Sequence, residues 1–448
     1  MKAATVTAKE TVCRPRVLSR PEHCLSRKKL SENAIKVLYR LHRSGYLAYL
    51  VGGGVRDLLL GMQPKDFDVA TNARPQEIRR LFRNSRIIGR RFRLVHVFFR
   101  GEIVEVSTFR ASPDPDDWEE GEDEREEHES AHEDPPRGAT ETVVYGTPEE
   151  DAGRRDLTIN GLFYNIADFS IIDWVGGLSD LGERTIRIIG DPDQRFAEDP
   201  VRMMRALEYR TRLGFDVHPE TEAAIRHNAD LIRDASPARL TYELMECLRS
   251  GNAAGIWTAW RDFGILERVF PELTDSDRSL GEILQGIDTQ ANGKRGLGDA
   301  SILAALFLPR FVSLLEEMGE GGRKINNPLF LEKLAEILDP ASRRMLASNH
   351  TMYLMSQGLF ALTKMRRPPE RGRQVVKLAR HECFPVAWDL FSLGTSIGLL
   401  PRSSFEAWDR VVRQVRQAPP GEEPEVTIDA NRRTRRRRRP RRRGRSRS

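Results

Sequence analysis

YLAYLVGGGVRDLLLGMQPKDFDV, residues 46–69, decides how the rest of the chain is read. An apolar run leads into Gly52, Gly53 and Gly54, a short helix-like run follows, and Asp66 and Asp68 then sit one residue apart in a second apolar run. The pattern predicts strand, turn, helix, strand. Side chains alternate faces along a strand, so Asp66 and Asp68 are expected on one side, with Phe67 and Val69 turned into a core. Two carboxylates so placed suit a divalent cation. At the glycines the backbone is bare, so its N–H groups can approach phosphate oxygens ahead of a helix N-terminus. Either feature alone is common, the glycines as an ordinary turn and the Asp-x-Asp as a solvated strand edge. About fifteen residues apart, they are far more specific.

Upstream, Ser31 is a helix N-cap, Ala34, Ile35, Leu38 and Leu41 form one stripe, and Gly45 is a stop. Downstream, Pro75 opens another helix, and residues 86–110 read as two long strands turning at Arg100 and Gly101. Glu105 lies among valines in the second of these. It either completes a cation site from a neighbouring strand or is a hydrogen-bonded or outward-facing glutamate. Residues 112–137 hold thirteen acids and almost nothing apolar, so a disordered loop is expected over 112–140. Order resumes near Val143. Residues 149–166 read as helical, presenting Arg155, Asp156 and Asn160 together, and ADFSIIDWVGG follows as a strand ending at Gly176 and Gly177. From Glu198 onward only helical patterns appear, with Asp199 as N-cap, Pro200 as first helical residue, and Arg202 and Arg205 on the same face. Taken alone, that face reads first as a cap with a solvated basic stripe.

At 448 residues the chain exceeds one compact core. The formal charge of +6 is local, because residues 431–448 carry twelve arginines and no acid, leaving the remainder net acidic. Cys13, Cys24, Cys247 and Cys383 have no zinc-like spacing and suit a reducing, cytoplasmic setting. No apolar run approaches the roughly 20 residues of a membrane span. Basic residues without an apolar core at the N-terminus predict a disordered arm rather than a signal peptide, and Glu10 and Glu22 weigh against a transit peptide. The expected organisation is α+β. A disordered basic arm (1–28) precedes a mixed-sheet head (29–190), a helical neck and body (191–275), a C-terminal helical domain (276–420) and a disordered arginine-rich tail (421–448).

Four segments in this order resemble the class II template-independent nucleotidyltransferases of the DNA polymerase beta superfamily, which add nucleotides to RNA 3′ ends. LVGGGVRD with KDFD looks like the catalytic motif, RRDLTIN at 154–160 the ribose-sensing motif, GG-x-x-DL at 176–181 the hinge-like element, and EDPVRMMRA at 198–206 the base-recognising motif. The resemblance implies a two-metal Mg²⁺ site on Asp66 and Asp68, with Glu105 as a third candidate. It also implies triphosphate contacts from Gly52, Gly53 and Arg56, ribose contacts from Arg155 and Asp156, and nucleotide contacts from Asp199, Arg202 and Arg205. Turnover should depend on Asp66, Asp68 and Asp156.

An Asp accepting from an exocyclic amine and an Arg donating to a ring nitrogen fit adenine and cytosine but not guanine or uracil. Within the family this leaves a poly(A) polymerase using ATP or a tRNA CCA-adding enzyme using ATP and CTP. IIGRRFRLVHV at 87–97 resembles a block of bacterial poly(A) polymerases, and the arginine-rich tail, able to bind phosphate without sequence preference, fits a broad set of RNA 3′ ends. Poly(A) addition in mRNA processing and decay is therefore expected, with RNA-decay or RNA-chaperone proteins as possible partners. A catalytically inactive RNA-binding adaptor is the reading from another class. It would have lost an aspartate or the glycine turn, and both are intact.

Overall fold

The computed structural model describes residues 14–89, 93–111, 144–273, 278–293, 296–319, 327–370 and 372–417. The chain divides into two compact units, one of residues 1–243 with 255–269 and the other of 244–254 with 270–448. The acidic loop at 112–140, Arg90, Arg91 and Phe92 of the GRRF block, and the arginine-rich tail lie outside the described residues.

The first unit is built on an eight-stranded sheet. Its elements begin with β1 (Arg16–Leu18), α1 (Glu32–Arg43), β2 (Ala48–Val51), α2 (Gly53–Leu59), β3 (Asp68–Thr71) and α3 (Pro75–Leu81). Next come β4 (Ser85–Ile88), β5 (Leu94–Phe99), β6 (Glu102–Thr108), α4 (Pro148–Gly153), β7 (Leu162–Asn165) and β8 (Ile171–Asp173). The strand order is β1-β8-β7-β2-β3-β6-β5-β4, antiparallel at every pair except β3 with β6. On one face, fully buried Val95, Val97, Val104 and Val106 pack beneath α1 and α3. On the other face Tyr49, Val51, Ala70, Phe109 and Phe163 form a cluster with Ala152 of α4. Ser31 caps α1 by accepting from the N–H groups of Asn33 and Ala34, each at 3.1 Å, and Gly45 ends it at φ +86°.

The sheet is followed by α5 (Gly177–Glu183), β9 (Thr185–Ile186), α6 (Pro192–Glu198), α7 (Val201–Leu213), β10 (Asp216–Val217), α8 (Pro219–Asn228) and α9 (Pro237–Arg249). The described part of the second unit is helical. Its core includes the Phe311 and Phe330 rings, 5.8 Å apart and edge to face, and at its margin half-buried Phe405 stacks on half-buried Trp388 at 5.0 Å. The α+β class with a mixed-sheet head and helical remainder is as expected.

Several local expectations change. Residues 14–28 are not a disordered arm in the described part, since Arg16–Leu18 pairs with β8 and Leu25 is fully buried. The first of the two long strands is two strands, β4 and β5, folded back with Ser85 opposite Val97; Gly89, at φ +88°, leaves the ladder. The stretch 149–166 is not one helix. Beyond Arg155 two backbone bonds go to residues 187–189, Thr158 N–H to Arg187 O and Ile189 N–H to Asp156 O, both at 3.0 Å, Thr158–Asn160 makes a short 3-10 turn, and the chain then enters β7. A strand does occur after Glu198, since β10 pairs in parallel with β9.

Candidate active site

Gly52 is the hinge of the glycine turn. At φ +71° it holds a conformation that costs any residue with a Cβ, and a Cβ there would stand 3.1 Å from Arg155 Nη1. Its carbonyl accepts from Val55 N–H at 3.1 Å and Arg56 N–H at 3.3 Å, starting α2 at once. In the β2–β3 ladder Val51 is the last residue, opposite Asp68. Asp68 therefore opens β3 beside the turn, with Phe67 and Val69 buried as expected. Asp66 was expected within the same strand but precedes it, because a further pair would need a β2 residue where the chain is already helical. It lies exposed, its carbonyl 3.4 Å from where a Gly54 Cβ would sit.

Burial pushes the Asp68 carboxyl up to about 6, with repulsion from Glu105, and less from Asp66, adding to it and Arg155 opposing. Glu105 thus stands near Asp68, as the parallel register Val69 to Val106 requires, on the adjacent strand β6. Its Oε2 is 3.4 Å from His96 Nε2. Among the described residues no group of three or more His, Cys, Asp or Glu forms a metal cage. A donor set of oxygens only, partly open to solvent, fits a cation that keeps water and substrate ligands, as Mg²⁺ does.

Asp151 in α4, fully buried, organises the next motif. It accepts from Arg154 Nε and Nη2 at 2.9 and 2.6 Å and from Arg155 Nη2 at 3.1 Å. Arg155 also lies over the Phe163 ring, 5.2 Å from its centroid, and its buried Nε has no partner among the described residues. Asp156 accepts from Leu157 N–H (2.7 Å) and Asn160 Nδ2 (3.2 Å) on Oδ1, and from Arg205 Nε (2.7 Å) on Oδ2. Burial would raise its pKa, but Arg205 and these hydrogen bonds outweigh it and hold the group at about 2. Asn160 in turn accepts from Arg56 Nη1 at 2.6 Å. Arg56 is buried, donates to Asp57 Oδ1 through Nε and Nη2 at 2.8 and 2.7 Å, and covers the Tyr209 ring at 4.6 Å. The structure thus joins Arg56, Asn160, Asp156 and Arg205 in one hydrogen-bonded chain, while Arg155, held by Asp151, lies beside the Gly52 turn.

Asp199 does not cap α7. Its carboxylate pairs with Arg239 Nη2 at 2.7 Å, and Pro200 occupies the cap position. Arg202 Nη1 donates to Glu198 Oε2 at 2.8 Å and to Arg195 O at 2.7 Å, so the Asp199 and Arg202 side chains are each held by other residues, the two being joined only through the backbone, Arg202 N–H to Asp199 O at 3.1 Å. Arg205 Nη1 reaches Glu243 at 3.2 Å. Two residues missed in the sequence tie these parts together. Arg195 Nη2 donates to the carbonyls of Arg154 and Arg155 at 2.6 and 2.7 Å while its Nη1 binds Glu198 at 2.8 Å. Glu243, nearly fully buried, shares Arg205 with Asp156. Neither carries a periodic or motif signal, since their partners are distant in sequence.

The arrangement sets the Asp66 and Asp68 carboxylates beside the Gly52 turn, with the anchored Asp156 carboxylate and the Arg56 and Arg155 guanidinium groups nearby. Residues 48–187 match the family model of the poly(A) polymerase head domain, and residues 214–276 the model described as a probable RNA- and SrmB-binding site of polymerase A. Poly(A) polymerase I of Salmonella typhimurium is 38% identical over 405 residues, covering 87% of this chain and 84% of that one. The CCA-adding enzyme of Bacillus licheniformis is 37% identical over 222 residues, covering 50% and 51%. The Bacillus stearothermophilus CCA-adding enzyme in complex with CTP superposes with a TM-score of 0.58 at 25% identity, over 85% of this chain and 81% of that one. The chain belongs to the family of nucleotidyltransferases that includes poly(A) polymerase I and the CCA-adding enzymes.

Proposed function

We propose that the protein is a template-independent poly(A) polymerase that adds AMP from ATP to RNA 3′ ends, serving RNA processing and decay. One observation carries the nucleotidyl-transfer reading: Asp68 stands within electrostatic reach of Glu105, Asp66 and Arg155, and the Arg155 guanidinium, its Nε unpartnered among the described residues, lies beside the Gly52 turn. Asp66 and Asp68 would hold Mg²⁺, with Glu105 as a further candidate. When bound, the metal supplies activation of the 3′-hydroxyl and neutralisation of the departing pyrophosphate.

The chain's own residues position the reactants. Gly52 and Gly53 approach the triphosphate, Arg56, held by Asp57 and Asn160, supplies positive charge from behind the turn, and Arg155 donates to the sugar or an adjacent phosphate. Asp156, kept ionised by Arg205, accepts the ribose 2′-hydroxyl and so favours ribonucleotides. Asp199, oriented by Arg239, accepts the exocyclic amine, and Arg202, oriented by Glu198, donates to the ring nitrogen. ATP as sole substrate is supported by the extent of the relationship, since identity to poly(A) polymerase I runs through 87% of the chain and that to the CCA-adding relative through 50%.

A tRNA CCA-adding activity is the second reading, favoured by the fold shared with the CTP-bound enzyme. Incorporation of labelled AMP into an RNA 3′ end tests nucleotidyl transfer itself. Wild-type protein should extend the RNA in Mg²⁺, and Asp66→Asn and Asp68→Asn should not. Near-normal elongation by Asp66→Asn would remove the mechanism.

A further inference from the structure

The sheet carries a second feature on the far side of Asp68 from the glycine turn. Strands β2, β3, β6, β5 and β4 are neighbours in that order. The registers Val51 to Asp68, Val69 to Val106, His96 to Glu105 and Arg86 to His96 place Asp68, Glu105, His96 and Arg86 in one row on one face. Two residues along β5 and β6, on that same face, Phe98 and Ile103 stand opposite each other, 41% and 52% exposed. The valines that pack beneath α1 and α3 lie on the opposite face, so this apolar pair does not serve that core. His96 stands edge to face with Phe98, ring centroids 6.3 Å apart.

In-line displacement puts the attacking oxygen and the leaving group on opposite sides of the reacting phosphorus. The leaving pyrophosphate belongs with the glycine turn, which follows β2. The RNA 3′-hydroxyl therefore arrives over β6, β5 and β4. We propose that Phe98 and Ile103, flanked by His96 and Arg86, form the platform on which the last nucleotides of the RNA substrate stack. The proposal rests on the nucleotidyl-transfer reading above.

The row from Asp68 to Arg86 crosses three strand spacings, roughly 14 Å, a span matched to the terminal and penultimate nucleotides. Phe98 offers a ring face that accepts any base, Ile103 fills the adjoining apolar surface, and the exposed Arg86 and the His96 ring supply donors to backbone phosphate. Such a platform holds RNA without reading its sequence, as an enzyme of many 3′ ends requires.

Steady-state kinetics with a short RNA primer and ATP test it, alongside photocrosslinking from 5-iodouridine at the penultimate position. Phe98→Ala and Ile103→Ala should each raise KM for primer, about ten-fold for Phe98→Ala, with KM for ATP unchanged; Phe98→Trp should restore it. The crosslink should map within residues 94–108. Circular dichroism confirms that the variants are folded. A Phe98→Ala primer KM within two-fold of wild type, or a crosslink elsewhere, overturns the platform, as does sedimentation showing that Phe98→Ala only breaks self-association. If Asp68→Asn still elongates RNA, the nucleotidyl-transfer reading fails; if Asp68→Asn is inactive and Phe98→Ala is normal, the platform alone fails.

Discussion

Arg205 Nε donates to Asp156 Oδ2 at 2.7 Å, so the carboxylate proposed to sense the ribose is held by the helix proposed to read the base. The same guanidinium holds nearly fully buried Glu243 at 3.2 Å. Truncating it leaves two carboxylates without their counter-charge, so Arg205→Ala should lose about 3 kcal/mol or more of unfolding free energy. Chemical denaturation measures it. The Asp156 contribution has a defined sign. Its folded-state value of about 2 lies below the ordinary 3.8, so its stabilisation is complete above about pH 4 and is lost as pH falls through 2. Asp156→Asn should flatten that part of the acid-unfolding profile.

Asp68 behaves oppositely. Its folded-state value of about 6 exceeds 3.8, so its ionisation destabilises the fold as pH rises from about 4 through 6. Asp68→Asn should remove that slope and leave the protein equally stable or more stable at pH 8, by of order 1 kcal/mol, while abolishing nucleotide addition. Thermal melts at pH 4 and pH 8 check the first half, and primer extension the second.

Arg195 joins the carbonyls of Arg154 and Arg155 to Glu198, which in turn binds Arg202. Ribose and base selection should therefore loosen together in Arg195→Met, read as falling ATP/dATP and ATP/GTP preferences. Glu198→Gln keeps the carbonyl contacts and should relax base preference alone. A selectivity matrix over the four ribonucleotides and dATP separates the two from a general loss of stability.

Gly52→Ala meets two penalties at once, a positive φ and a Cβ 3.1 Å from Arg155 Nη1. A destabilisation of about 1–2 kcal/mol is expected, with a rise in KM for ATP as Arg155 is displaced. Gly61→Ala has a similar φ, +77°, but open space around its Cβ, so it should show the stability loss without the kinetic one.

The turn at residues 46–69 was legible because its signals are local: glycines, a two-residue carboxylate spacing, and apolar residues on both sides. Ser31 and the turn at Arg100 and Gly101 were legible for the same reason. Residues 154–160 misled because their polar side chains resemble a helix face, while their backbone is claimed by residues 187–189, far along the chain. Asp199 before Pro200 imitates a cap, but a distant arginine, Arg239, takes its carboxylate. Arg195 was invisible because its meaning lies in two carbonyls some forty residues earlier. Periodicity reports which face a residue occupies; it does not report which remote group competes for a polar atom.

The most direct measurement offers the purified protein each nucleoside triphosphate separately, once with a generic RNA 3′ end and once with tRNA lacking CCA. Long tails from ATP alone on the generic RNA are the expected result. A stop after three added residues on the tRNA, with a requirement for CTP, would contradict poly(A) addition.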